Sequence, residues 1–370
     1  MDKERRLTIV AIAAVVVAAV ATIFFTPSQT TLPIPEPRQS NGNNTRSGIQ
    51  VLAKNLDVPW AIDIAEDGRL FFTERPGRIR VIDKDGMLLS DPAGYINVEH
   101  HGESGLLGLA LHPNFTENHL LYVYHTYSNS SAVLNQVLML TEKDNKIVGS
   151  KVIIDKIPAA DRNDGGRIKF GPDGKLYIAT GDARQPELAQ NGGSLAGKIL
   201  RLNPDGTIPE DNPFEGSPVY SYGHRNIQGL AWDPATGEMY ASEHGDEGND
   251  EINRIKPGAN YGWPIEDCNA QHFQKPVVCF NPAIAPSGMA IAGSDRLGYK
   301  GDILLAALKA QQLRLIKLPS DSEVNILTGY GRIRDVVEAP DGTLYVTTSN
   351  RDGRAIPERG DDKILRITQP

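Results

Sequence analysis

Four cations in this sequence stand where they could build an anion site. Arg225 lies in Gly223-His224-Arg225-Asn226, and Lys309 closes Ala306-Ala307-Leu308-Lys309. Arg332 and Arg334 flank Ile333, and alternation along an extended segment puts both on one face. Taken singly, each reads as a solvated surface charge. Gathered in one cavity, they would suit a small polyanion with planar carboxylates, which arginine can grip through two N–H groups at once. A second segment, Glu243-His244-Gly245-Asp246-Glu247-Gly248-Asn249-Asp250-Glu251, crowds oxygen donors around glycines. Calcium takes roughly six to eight oxygens, backbone carbonyls included. The spacing is not that of an EF-hand, so a polar loop is the competing reading.

Such residues need a frame that brings distant segments together, and the sequence carries one as an internal repeat. A short apolar segment, a Pro-Asp-Gly or similar turn and a Leu-Tyr-Val or similar strand recur six times. The copies start near Trp60, Gly108, Arg167, Gly229, Gly288 and Asp335, and the fifth is the most degenerate. The repeat length of roughly 45–60 residues matches a four-stranded propeller blade with its loops. Asp-Gly turns between alternating segments are hairpin signals. Five further alternating segments read as third or outer strands: Arg78–Ile82, Lys198–Leu202, Glu251–Ile255, Gln312–Ile316 and Lys363–Ile367. A blade cannot bury both its faces alone, so the copies must stack in a ring. The predicted fold is all-β, a six-bladed β-propeller over residues 48–370, with the segment near Gln50-Val51-Leu52 completing the last blade. No long amphipathic helix is predicted there.

The chain has 370 residues and a net charge of −8. That balance argues against a nucleic-acid surface, because phosphate binding needs a basic face. Leu7 to Phe25 carries no charge and follows Lys3, Arg5 and Arg6. About 19 apolar residues approach the span of a bilayer, and the basic flank stays cytoplasmic by the positive-inside rule. Residues 1–26 are therefore expected to be a membrane anchor or signal segment. Residues 27–47, rich in proline and polar residues, read as a flexible linker. The propeller would then sit outside the cell membrane, or be secreted if the segment is cleaved. The two cysteines, Cys268 and Cys279, could form one disulfide in that setting, or remain free thiols.

Several motifs then carry a family resemblance. They include Val58-Pro59-Trp60, Thr73-Glu74-Arg75-Pro76-Gly77, Gly102-Glu103-Ser104-Gly105-Leu106-Leu107-Gly108 and Gly165-Gly166-Arg167. Further on come Gly223-His224-Arg225-Asn226-Ile227-Gln228-Gly229-Leu230, Asn260-Tyr261-Gly262-Trp263-Pro264 and Gly331-Arg332-Ile333-Arg334-Asp335. Together they resemble the soluble quinoprotein glucose and aldose sugar dehydrogenases, also called glucose/sorbosone dehydrogenases. The resemblance implies a six-bladed propeller that holds pyrroloquinoline quinone (PQQ) and calcium at a channel mouth. It implies that Glu103, Arg225, Asn226, Lys309, Arg332, Arg334 and Thr348 contact the quinone. Backbone oxygens of Gly245 and Asp246 would bind the calcium that polarises it. Glu251 and Tyr261 match ligands of a second, structural calcium. The implied reaction oxidises the anomeric carbon of an aldose and passes electrons to an external acceptor.

Two positions depart from the family pattern. The family's general base is a histidine four residues before the arginine of Gly-Gly-Arg, and Asn163 stands there. An amide cannot take a proton as imidazole does. Asp164, next in the chain, is the substitute to consider, with Asp161 nearby. Glu103 replaces a usual glutamine, and a carboxylate beside an anionic cofactor needs a proton, calcium or an arginine to offset it. The alternative function is a non-catalytic propeller that binds a sugar or a protein partner.

Overall fold

The computed structural model describes residues 48–369, apart from 247 and 319–321. The expected anchor and linker lie outside the described residues. Within them, no helix is long and apolar enough to cross a membrane.

Six four-stranded antiparallel sheets form the fold, as the repeats predict. The inner strands of successive blades are Pro59–Ile64, Leu106–Leu111, Gly165–Phe170, Ile227–Trp232, Pro286–Ile291 and Ile333–Glu338. The sixth sheet is completed from the other end of the domain. Ile49–Ala53 pairs antiparallel with Ile364–Ile367, Ile49 opposite Ile367 and Val51 opposite Leu365. The ring is therefore closed by hydrogen bonds between the first and last strands, and no blade is left with a bare junction.

Why these segments become these strands follows from their side chains. The second strands lie between two neighbours and two blade faces, so they are buried throughout and mostly apolar, as in Leu70–Glu74, Leu176–Thr180 and Ile303–Ala307. Among the third strands, Arg78–Ile82 buries Ile79 and leaves Arg78 and Arg80 partly open, while Lys198–Leu202 is buried along its length. The turns repeat because their chemistry repeats. In three of them the aspartate accepts the N–H two residues on: Asp67 from Arg69, Asp173 from Lys175 and Asp341 from Thr343, at 2.9–3.1 Å. The following glycine takes φ near +80°, which other residues adopt at a cost (Gly68 +88°, Gly174 +71°, Gly342 +78°).

Two features of the inner strands shape the channel. Every one has a register break near its start, for example between Pro59 and Ile62 and between Ile333 and Asp335. Such bulges re-aim side chains where the strand begins. Small residues also let blades approach: a Cβ on Gly108 would lie 2.1 Å from the Gly166 carbonyl oxygen, and one on Gly288 only 1.8 Å from Asp335 Oδ1. Cys268 and Cys279 form a disulfide beside the fourth blade's outer strand.

Candidate active site

The inner strands open, at their first residues, on a cavity of about 300 Å³ at one end of the channel. Lys309, Arg332 and Arg334 line it together, as the sequence anticipated. Two further cations, Arg75 and Arg354, line it as well. Against these five stand the carboxyls of Glu103, Asp164 and Asp352. The cavity is therefore an electropositive pocket in an acidic protein.

Asp352 organises the pocket. Its Oδ2 accepts from Arg332 Nε at 2.9 Å, Arg334 Nη2 at 3.2 Å and Ser349 Oγ at 3.2 Å. Burial works to raise this carboxyl, but Arg334 and Arg332 outweigh it and hold it below the ordinary aspartate range. Arg334 also reaches Gln228 Oε1 at 3.3 Å, and its guanidinium lies 5.8 Å from the Trp60 ring centroid. Burial lowers its pKa to about 10, with Asp352 pulling the other way. Arg75 is similarly lowered by burial, and its Nε donates to His100 Nε2 at 3.3 Å. These fixed, partly desolvated guanidiniums are prepared for an anion before one arrives.

Arg225 is not in this cavity. It lies in an adjoining pocket of about 30 Å³ with Gly245, Asp246, Glu251 and Tyr261, and His244 lines both spaces. Arg225 donates to the His244 carbonyl and to Asp246 Oδ1, both at 3.3 Å, and its guanidinium lies 5.4 Å from the Trp263 ring centroid. His244 Nε2 is buried without a hydrogen-bond partner, and burial lowers the imidazole's pKa. Asn226 is placed differently from the expectation. Its Oδ1 accepts from Gly165 N at 3.0 Å and from Gln228 Nε2 at 3.1 Å, so it clamps two blades and leaves the cavity wall to its neighbours. Thr348 likewise turns inward, donating to Asp362 Oδ1 at 3.1 Å.

The positions that depart from the family pattern are tied to each other. Asn163 sits at φ +60° and donates its Nδ2 to Asp182 Oδ1 at 2.9 Å. Its backbone N–H goes to Glu103 Oε2 at 3.1 Å. Glu103 Oε1 takes Arg354 Nη2 at 2.5 Å, so an arginine offsets this carboxylate. Asp164 is buried at the cavity wall. Its Oδ1 accepts from Ala160 N at 2.9 Å and Asn135 Nδ2 at 3.2 Å, and its Oδ2 from Ser104 Oγ at 2.9 Å. Burial, opposed by those hydrogen bonds, raises its pKa to about 7.

The five cations and the unpartnered His244 nitrogen fit a ligand bearing several carboxylates. For a cation, no cluster of three His, Cys, Asp or Glu side chains close enough to share a metal occurs among the described residues. A metal beside Gly245 and Asp246 would have to draw on backbone oxygens. Glu251 pairs across the strands with Glu243, and burial followed by that like charge pushes its carboxyl up. A cation there would relieve both. The Tyr261 hydroxyl is already committed, donating to the Arg254 carbonyl at 2.7 Å and accepting from Lys256 N at 2.9 Å.

Comparison with known proteins bears on what this pocket is for. The family model described as glucose/sorbosone dehydrogenase matches residues 56–357. The chain belongs to that family. It is 33% identical to quinoprotein glucose dehydrogenase B of Acinetobacter calcoaceticus, over 91% of this chain and 91% of that one. It is 30% identical to aldose sugar dehydrogenase YliI of Escherichia coli, over 83% of this chain and 91% of the relative. The PQQ-bound structure of aldose sugar dehydrogenase from Streptomyces coelicolor matches with a TM-score of 0.79 at 36% identity, covering 86% of this chain and 97% of that one.

Within this glucose/sorbosone dehydrogenase, sequence reasoning overlooked Trp60, Arg75, Gln228, Asp352 and Arg354 as cavity residues. Three of them lay inside motifs already singled out. Asp352 and Arg354 follow the sixth repeat in Ser349-Asn350-Arg351-Asp352-Gly353-Arg354, a loop with no regular pattern to mark which way each side chain turns.

Proposed function

We propose that this protein is a quinoprotein sugar dehydrogenase that oxidises the anomeric carbon of aldoses with PQQ and calcium. The convergence of Lys309, Arg332 and Arg334 with Arg75 and Arg354 in one channel-end cavity carries this reading. Arg332 and Arg334, held by Asp352, grip carboxylates of the cofactor, and Lys309 adds a charge at the rim. Gly245 and Asp246, which line the adjoining pocket, would hold the calcium through their oxygens. When bound, the quinone supplies a two-electron acceptor for the hydride leaving the sugar C1, and calcium polarises its carbonyl.

Asp164 receives the proton of the anomeric hydroxyl. Its Oδ2 carries a single donor, Ser104 Oγ, and has room for another. A group that titrates near neutrality suits proton abstraction at working pH. Asn163 serves as a positioning residue, holding the loop between Asp182 and Glu103. The electrons would pass on to an external acceptor. The propeller works outside the cell membrane, on the anchor and linker read in residues 1–47.

The test is reconstitution of the full chain with PQQ and calcium, followed by an assay of aldose-dependent dye reduction. Sugar-dependent turnover is expected. Tight cofactor binding with no turnover on any aldose would reject the catalytic part and favour a binding propeller. In that event Asn163→His restores activity if the remainder of the pocket is competent.

A further inference from the structure

The same inner strands end in a second cavity, of about 830 Å³, at the opposite mouth of the channel. Asp63, Pro113, Lys169, Trp232, Ile291 and Tyr345, one from each blade, help to line it. The ion pair of Arg167 and Asp335, 2.7 Å apart, lies between the two ends: on its strand Arg167 stands midway between Gly165 of the first cavity and Lys169 of the second. We propose that this mouth is a distinct small-molecule site, which takes a monocarboxylate carried on a planar apolar body.

Lys169 is the basis of the proposal. Among the described residues its ammonium has no hydrogen bond and no ion pair. Asp63 and Asp335 act on it only at longer range, and each has donors of its own. Asp63 accepts from Ile64 N and Leu111 N, both at 2.9 Å. Asp335 accepts from Arg167 Nη1 at 2.7 Å, Ile62 N at 3.1 Å and Val336 N at 3.0 Å. Burial lowers the pKa of Lys169, as expected for a charge without a direct partner. An acceptor oxygen brought by a ligand would supply what the protein does not.

The walls define the rest of that ligand. Phe170, Trp232 and Tyr345 present aromatic surface and Ile291 aliphatic surface. The carboxylates Glu66, Glu338 and Asp341 also line the mouth. Each has its own donors: Thr116 Oγ1 for Glu66, Gly293 N for Glu338 and Arg296 for Asp341. They would repel a polyanion, while one carboxylate reaching Lys169 is offset there. The two mouths thus select different charge: several carboxylates at one, a single carboxylate on an apolar body at the other.

The probe is 1-naphthoate, titrated into the full-length protein and followed by tryptophan fluorescence, since Trp232 lines the cavity. Saturable binding is expected, with the same affinity in the presence of saturating PQQ. Lys169→Met should weaken binding about tenfold or more, the loss of one charge-assisted hydrogen bond. Neutral 1-naphthalenemethanol should bind the unmodified protein about as weakly as the variant binds naphthoate. That comparison decides the matter if Lys169→Met does not fold. Absence of saturable binding, equal affinity for the acid and the alcohol, or displacement by PQQ would overturn the proposal. None of these outcomes bears on whether PQQ occupies the first mouth.

Discussion

The two ends of the channel are built from the same six inner strands and differ in nearly every other respect. One end gathers five cations, two of them paired with Asp352; the other sets a single lysine and four carboxylates among aromatic and aliphatic side chains. Strand geometry accounts for the contrast. Each inner strand begins with a bulge, which in the sixth blade places Arg334 at the cavity, while Arg75, Lys309 and Arg354 enter from the loops that follow second strands. Each ends in regular pairing and a tight turn, where alternation delivers apolar residues and prolines.

The largest effect should come from Arg334, which with Arg332 is among the most buried cations of the polar end. Arg334→Met should weaken PQQ binding by about 30-fold or more, because truncating a buried, hydrogen-bonded charge costs roughly 2–5 kcal/mol. An absorbance titration measures this. The same variant should leave naphthoate binding at the other mouth unchanged, and a parallel loss there would break the distinction between the ends.

Next in size is Asp164→Asn. Turnover should fall roughly 10²–10⁴-fold, the usual worth of a general base. The sign of the pH dependence follows from the raised pKa. Only the ionised carboxylate accepts a proton, so kcat/KM of the unmodified enzyme should climb as pH rises through about 7. That limb should vanish in the variant. Steady-state kinetics from acid to mildly alkaline pH would show it.

The smallest effect belongs to Lys309, which is exposed on the cavity rim. Lys309→Met should weaken PQQ binding only about three- to fivefold, the range of a solvent-screened charge. Raising the salt concentration should erase most of that difference. A loss as large as that of Arg334→Met would mean that depth in the cavity does not set the contribution of each cation.

Much of this was legible in the sequence, for identifiable reasons. The ring was visible because each hairpin repeats the same turn, in which an aspartate accepts the N–H two residues on. Closure through Gln50-Val51-Leu52 was legible as a strand left over after six repeats. The second blade's third strand, Val133–Lys143, went unmarked because its centre, Val137-Leu138-Met139-Leu140, is a continuous apolar run without alternation. Arg332 and Arg334 could be placed together because alternation governs their segment. Arg225 could not, since it precedes the bulge between Ile227 and Gly229, where the backbone turns it toward Asp246. Asn226 and Thr348 show the same limit. Their residue types fit a ligand contact, yet each is claimed by a buried backbone or carboxylate partner that only the fold brings near. The unpaired state of Lys169 was invisible for the converse reason, because it depends on which side chains other blades bring near it and what those already bind.

The central claim is that the polar mouth is a cradle for a polycarboxylate cofactor. Titration of the full chain with PQQ in the presence of calcium, read by the cofactor's absorbance, tests it most directly. Saturation at one equivalent with a Kd at or below about 1 μM is predicted, a free energy near −8 kcal/mol that several buried guanidiniums can supply. Binding that does not saturate, or that survives simultaneous Arg332→Met and Arg334→Met substitution, would contradict it.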